Sequence, residues 1–405
     1  MVKVLLLIFL ATLVNAGPQI IPLKTFSSIG TTIVNGVEDE AKLYLASADD
    51  NSVLRNINIS SGANFITLDQ LNNPNTDGTP SFLLSYGLSV TTSNTDDVTA
   101  NLTGRFYITT YAQAKDQNFA VCVVKDQHVV STNAMKSTVV VLNTWLSNSG
   151  DANAPSRTSY VSKMNQSPNT NIYFQWGIPP SNWYEVTNNT FFRNGVVLTN
   201  GTTYAQVNFD NVEPMQINLD EWYFQVMGPN NIQIEKKYVG NNNYTVTATK
   251  TTGLIMNNGI YQRHDVNFMP DTTKYGDSGV YYAAYGEYGT IGVYLKTATG
   301  ISSSIANDTN NSKDQWSFWT DDQAYSLTVN TTLDNPGTFF VQYFTFPGLN
   351  KPVTIPIPTL APQTTPPVTE GAGVSTTTVG TSTKGSGYVY GIQFVFMIIL
   401  EFMLF

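Results

Sequence analysis

Tyr244-Thr-Val-Thr-Ala-Thr249 and Tyr325-Ser-Leu-Thr-Val-Asn330 set the fold class of this chain. Successive residues of a strand face opposite sides, so each stretch has one apolar face and one face of hydroxyls and amides, the pattern of an antiparallel strand with one wet side. Ser137-Thr-Val-Val-Val-Leu142 and Gly292-Val-Tyr-Leu295 are instead continuous β-branched or aromatic runs, suited to buried strands. From Phe191 to Phe209 the chain reads as a meander, with Asn194-Gly195 and Asn200-Gly201 each supplying the positive-φ pair of a type I′ hairpin turn. No stretch keeps a 3.6-residue apolar period over three turns. The expectation is an all-β protein.

A repeat organises these strands. Arg105-Phe-Tyr-Ile-Thr-Thr-Tyr111, Glu221-Trp-Tyr-Phe-Gln-Val-Met227 and Thr338-Phe-Phe-Val-Gln-Tyr-Phe344 begin 116 and 117 positions apart. One β-sandwich takes about 100 residues. The spacing therefore predicts three tandem antiparallel β-sandwich domains, 17–120, 121–235 and 236–350, with Phe106, Tyr223 and Phe339 on equivalent strands.

The flanks read differently. Residues 1–16 have the order of a secretory signal peptide: Lys3, an apolar run from Val4 to Val14, and small residues ending at Ala16. Residues 351–386 are dense in Pro and Thr, including Pro366-Pro367 and Thr376-Thr-Thr378, and predict a disordered, O-glycosylated stalk. Residues 387–405 form a hydrophobic tail. No Lys or Arg follows it, and Gln393 and Glu401 lie within it, which argues against a spanning helix. Small residues at Gly380-Thr-Ser382, a polar spacer and an apolar end match a GPI attachment signal, with Gly380 as the attachment residue and Gly385 as the alternative. The protein is expected on the extracellular side of the plasma membrane, held to the outer leaflet by a lipid anchor. Asn-x-Ser/Thr sequons stand at Asn58, Asn101, Asn165, Asn188, Asn200, Asn243, Asn307, Asn310 and Asn330, and most are expected to carry glycan.

Composition excludes several chemistries. Charged residues are 12% of the chain, the net charge is −9, and no basic run is interleaved with aromatics, so nucleic acid is not an expected partner. Cys122 is the single cysteine, which forbids an intrachain disulfide; its apolar surroundings predict a buried, inert thiol. With only His128 and His264, a three-His zinc centre is impossible. Gly276-Asp-Ser-Gly279 matches the nucleophile segment of chymotrypsin-like proteases but runs on into Val280, and it reads as a turn. Asn73-Pro-Asn-Thr-Asp-Gly78 opens like an EF-hand loop, yet its twelfth position is Leu84 where a bidentate Glu is needed. Asp49-Asp50-Asn51 and Asp96-Asp97 read as solvated turn carboxylates. The 22 Tyr, 21 Phe and 6 Trp are expected mostly in cores, with Trp176, Trp183, Trp316 and Trp319 near turns as an alternative carbohydrate-stacking set. No catalytic, cofactor-binding or metal-binding residue is expected.

The aromatic strand Asn335-Pro-Gly-Thr-Phe-Phe-Val-Gln-Tyr-Phe344, the signal peptide, the sandwich-sized repeat and the Thr-rich stalk with its GPI tail together resemble the nematode CUB-like family of secreted and GPI-anchored proteins. The chain departs from that family's pattern in having one cysteine. The resemblance implies a jelly-roll-like sandwich, no catalysis and a role in intestinal defence against microbes; it transfers no site residue. The expected function is a non-enzymatic surface glycoprotein that recognises or shields against extracellular material, with a carbohydrate or microbial surface as ligand. A secreted glycan hydrolase using two carboxylates is the alternative from another class.

Overall fold

The computed structural model describes residues 17–345 except 27–29, 73–77, 134, 148–149, 153, 184–188, 201–202, 240–242, 247–249, 259–262, 269–279, 288–290, 298–299, 307–314, 321–323 and 332–337. The segments expected to be signal peptide, stalk and tail, with Gly380 and Gly385, and the Gly276–Gly279 turn all lie outside the described residues.

The first sandwich is built from β1 (Gln19–Pro22), β2 (Thr31–Val34), β3 (Lys42–Ala46), β4 (Ile57–Ser61), β5 (Asn64–Thr67), β6 (Ser81–Leu83), β7 (Leu88–Thr92) and β8 (Arg105–Ile108). Its sheets run β1-β8-β3-β6 and β2-β7-β4-β5, all antiparallel, the strand order of a jelly roll. Four short helices punctuate it: α1 (Asn51–Leu54), α2 (Leu68–Asn72), α3 (Asp96–Ala100) and α4 (Tyr111–Lys115). None exceeds two turns, in keeping with the missing helical period. Leu43, Leu45, Ile57, Ile59, Leu88, Val90, Phe106 and Ile108 fill the space between the sheets.

The second sandwich uses β9 (Phe119–Val124), β10 (Gln127–Thr132), β11 (Ser137–Asn143), β12 (Ser159–Gln166), β13 (Ile172–Trp176), β14 (Thr190–Asn194), β18 (Met215–Ile217), β19 (Glu221–Val226) and β20 (Asn230–Glu235). One sheet runs β9-β11-β19-β13-β14, the other β10-β20-β12-β18. Strands β15 (Val196–Asn200) and β16 (Thr203–Val207) form a separate two-stranded sheet, and β17 (Asn211–Val212) pairs into the third sandwich.

That third sandwich contains β21 (Asn243–Val246), β22 (Thr251–Asn258), β23 (Arg263–Phe268), β24 (Val280–Glu287), β25 (Ile291–Thr297), β26 (Ile301–Ala306), β27 (Gln315–Thr320), β28 (Ala324–Thr331) and β29 (Thr338–Thr345). Its sheets are β17-β22-β29-β24-β27 and β21-β23-β28-β25-β26. Counting from β22, this repeats the strand order of the first sandwich, with β17 and β21 each added in parallel at one edge. The three aromatic strands occupy one place in this scheme: β8 lies between β1 and β3, β19 between β11 and β13, and β29 between β22 and β24.

The continuous run in β11 has a physical cause. Its sheet is covered on both faces, as parallel and doubly packed sheets must be. Val139 and Val141 join Trp222 and Phe224 in the second core. Val140 and Leu142 point the other way and join Tyr223, Tyr107 and Ala46 in a seam against the first sandwich. In β28, by contrast, Leu327 and Val329 are fully buried while Ser326, Thr328 and Asn330 are half-buried.

One turn differs from expectation. Asn200 does end a hairpin strand, opposite Thr203, while Gly201 lies outside the described residues. Asn194-Gly195 forms no hairpin turn, because β14 and β15 do not pair. Asn194 is buried and its amide clasps the backbone of Phe209, accepting from its N–H at 2.9 Å and donating to its C=O at 3.0 Å. The side chain thus closes the base of the excursion carrying β15 and β16. Gly195 follows at φ 110, where any Cβ would meet Asn171 Oδ1 at 2.1 Å.

Candidate recognition surface

Two sequons, at Asn58 and Asn165, fall on solvent-facing positions of strands. Asn58 is the exposed residue between buried Ile57 and Ile59 of β4, and Asn165 is exposed on β12. Asn330 of β28 is half-buried, its amide lying over Gly292, which has no side chain to displace it. Asn101 is exposed just after α3, and its amide donates to Asp97 O at 2.8 Å. Asn200 and Asn243 stand at strand ends; Asn188, Asn307 and Asn310 lie outside the described residues.

The seam between the first two sandwiches holds the densest charge network. Arg105 opens β8 and is 5% exposed. Its Nη1 donates to Glu221 Oε2 at 2.5 Å and Asp220 Oδ2 at 3.1 Å, and its Nη2 donates to Asn143 O at 3.1 Å and to Asp220 O. Arg157 adds Nη1 to Asp220 Oδ2 at 2.8 Å and Nη2 to Thr103 O at 2.6 Å. Burial pushes the Glu221 carboxyl up and the Arg105 guanidinium down, and their mutual attraction opposes both shifts. Arg105 and Glu221 hold equivalent positions in the repeat, so the two aromatic strands meet face to face and are riveted at their first residues. Sequence reading missed this pair. The available signal was an arginine opening a strand that is otherwise fully apolar.

A cleft of about 430 Å³ lies beside β9 and β10, lined among others by Thr79, Cys122, Lys125 and His128. Lys125 Nζ donates to Asn72 Oδ1 at 2.6 Å and to Asn72 O, and burial brings its ammonium down to about 8. Burial also lowers the His128 imidazole, whose Nε2 is buried without a partner. The Cys122 thiol is pushed up to about 12. A thiol so raised stays protonated, and the inert-core reading of Cys122 accords with this.

Of the carboxylates singled out in the sequence, Asp50, Asp96 and Asp97 are exposed, whereas Asp49 is half-buried and tied into the fold. Asp49 accepts from Thr103 N at 2.8 Å, Gly104 N at 2.7 Å, Thr103 Oγ1 at 2.7 Å and Ser47 Oγ at 2.8 Å, tying the segment after β3 to the one before β8. Asp50 caps α1 through Ser52 N at 2.7 Å. Asp96 and Asp97 occupy the first turn of α3. Among the described residues no three His, Cys, Asp or Glu side chains converge to hold a metal ion. His264 is buried on β23. Of the tryptophans, Trp183 is buried, donating Nε1 to Asp116 Oδ2 at 3.0 Å, and Trp176 packs on Phe340 with ring centroids 5.9 Å apart. These two are core residues; no side-chain environment is described for Trp316 and Trp319. The most exposed aromatics among the described residues are Phe65, 74% exposed, and Tyr86, 88% exposed at φ 60 in the turn before β7; Tyr111, Tyr325 and Trp145 are exposed to a lesser degree.

A family model described as "Glycoprotein: Transmembrane glycoprotein" matches residues 38–400. No curated protein matches the sequence. Among solved structures, the one reported as "The Triple Jelly Roll Fold and Turret Assembly in an Archaeal Virus" aligns over 80% of this chain and 84% of its own at 9% identity, with a TM-score of 0.16. No helix among the described residues is long and apolar enough to cross a membrane.

Proposed function

Because the chain belongs to the transmembrane glycoprotein family, we propose that it is a surface glycoprotein whose three sandwich modules, 17–120, 121–235 and 236–350, are displayed outside the cell on a glycosylated stalk. The observation that carries this reading is the placement of Asn58 and Asn165 on solvent-facing positions of strands whose alternate residues are core. In such a strand a glycan is attached without disturbing packing. A cleaved signal peptide over 1–16 delivers the chain, and its role is non-enzymatic: recognition of, or a barrier to, carbohydrate or microbial surfaces in innate defence. Burial pushes the thiol of Cys122, which lines the cleft, up to about 12 and so keeps it protonated, which supports binding over covalent chemistry. The C-terminal segment anchors the protein as a GPI signal, with Gly380 or Gly385 as the attachment residue. Phosphatidylinositol-specific phospholipase C is expected to release the protein from intact cells alongside a known GPI-anchored control. Retention while the control is released means that the tail stays in the membrane as a span.

A further inference from the structure

We propose that the glycan carried by Asn58 folds down onto the outer sheet of the first sandwich and stacks on Phe65. This rests on the reading that the Asn58-Ile-Ser60 sequon is used.

Two cross-strand rows on that face frame the site. Register places Thr31, Thr91, Asn58 and Thr67 in one row, and Ile33, Ser89, Ser60 and Phe65 in the next. Phe65 is therefore the diagonal neighbour of Asn58, about 7–8 Å away between backbones. The hairpin linking β4 and β5 fixes this register through Ser61 opposite Asn64, with Gly62 at φ 58 in the turn, where a Cβ would meet Ser85 O at 2.9 Å.

Both rows have a low floor. Ser60 and Ser89 bond hydroxyl to hydroxyl at 2.7 Å, and Thr31 and Thr91 at 3.3 Å. Above that floor stand Phe65 and Ile33, 74% and 70% exposed. Large apolar side chains on a wet sheet face lose contact with water when a sugar covers them. A pyranose presents hydroxyls at its rim and C–H groups on its faces. The C–H groups carry partial positive charge and seek the negative face of an aromatic ring, while the rim meets the serine and threonine hydroxyls. A sugar attached at Asn58 is already tethered beside this surface, so the contact carries little further entropic cost. Asn165 offers an internal control. On its face the residue directly opposite is Asn231, and Lys163 lies two positions along the same strand.

The test uses the full chain from a host that N-glycosylates secreted proteins. Glycopeptide mass spectrometry at Asn58 is combined with melting and hydrophobic-dye binding of N58Q, F65A and the double variant, with N165Q as control. Phe65 is exposed, so F65A folds. The expected result is a modified Asn58, a fall of about 2–4 °C in melting midpoint and a rise in dye binding for N58Q, neither of them when N58Q is made in the F65A background, and no change for N165Q. An unmodified Asn58 overturns both the glycan assignment and the stacking. A modified Asn58 with equal N58Q effects in the two backgrounds overturns the stacking alone.

Discussion

The two sheets of the first sandwich have four strands each and share one core, yet they face different surroundings. In the sheet β2-β7-β4-β5, alternate residues such as Asn58 and Thr91 face water and are exposed. In the sheet β1-β8-β3-β6, the residues pointing away from the core pack against the second sandwich: Tyr107 is fully buried and Arg105 is 5% exposed. Strand length and partner strands do not set a sheet's chemistry. What covers its second face does. A covered face selects aromatics and paired charges; an open one selects hydroxyls, amides and sequons.

The sharpest way to break the comparison is to cut the same kind of side chain from each sheet. Tyr107→Ala is expected to cost about 3–5 kcal/mol by the cavity it leaves in the seam. Phe65→Ala in enzymatically deglycosylated protein is expected within about 0.5 kcal/mol of zero. Urea unfolding of both variants measures the difference, and equal losses would show the seam to be no tighter than the open face.

Charge gives the second contrast. Arg105→Ala leaves Glu221 in the seam without its cation and is expected to cost about 3–5 kcal/mol. Arg55, 70% exposed at its side chain, pairs with Asp69 at 3.2 Å on the solvent side, and Arg55→Ala is expected to cost at most about 1 kcal/mol. Pairing R105M with E221Q should recover part of the loss, since no buried charge is then left alone. Denaturant titrations of the three variants test this.

Smaller effects test the second sandwich. Cys122→Ser puts a hydroxyl where a small hydrophobe packs and is expected to cost about 1 kcal/mol, while reducing agent leaves the melting midpoint unchanged. His128 gives the smallest effect. Its folded pKa lies below the ordinary 6.5, so on acidification the unfolded chain takes up a proton first. The stability His128 contributes is present above the unfolded value and is lost as pH falls through the folded one. His128→Asn should therefore flatten the decline in melting midpoint between neutral pH and pH 5, and an unchanged slope would refute the shift.

The strand content was legible because its signals are local. Alternation in Tyr325–Asn330 and the unbroken run Ser137–Leu142 each reflect which faces are covered, and both show in consecutive residues. Asn194-Gly195 misled for the converse reason: a turn dipeptide is also what a buried amide clasp followed by a positive-φ glycine looks like, and only the distant Phe209 distinguishes them. Asp49 was read as a solvated turn residue because Thr103 and Gly104, its backbone partners, lie more than fifty positions away. Phe65 was passed over, since its exposure follows from hairpin register rather than from its neighbours in sequence.

By itself the sequence determined the all-β class, the near-equal spacing of three aromatic strands, the lack of an intrachain disulfide and the sequon positions, since each is written in residue type and interval. Only the tertiary structure decided that β8, β19 and β29 hold one place in their sheets, that Arg105 pairs with Glu221 across the seam, and that Asn58 shares a face with Phe65. The physical reason is that pairing and burial join residues through strand register and sheet stacking, and those contacts reach across a hundred or more positions that no local pattern spans.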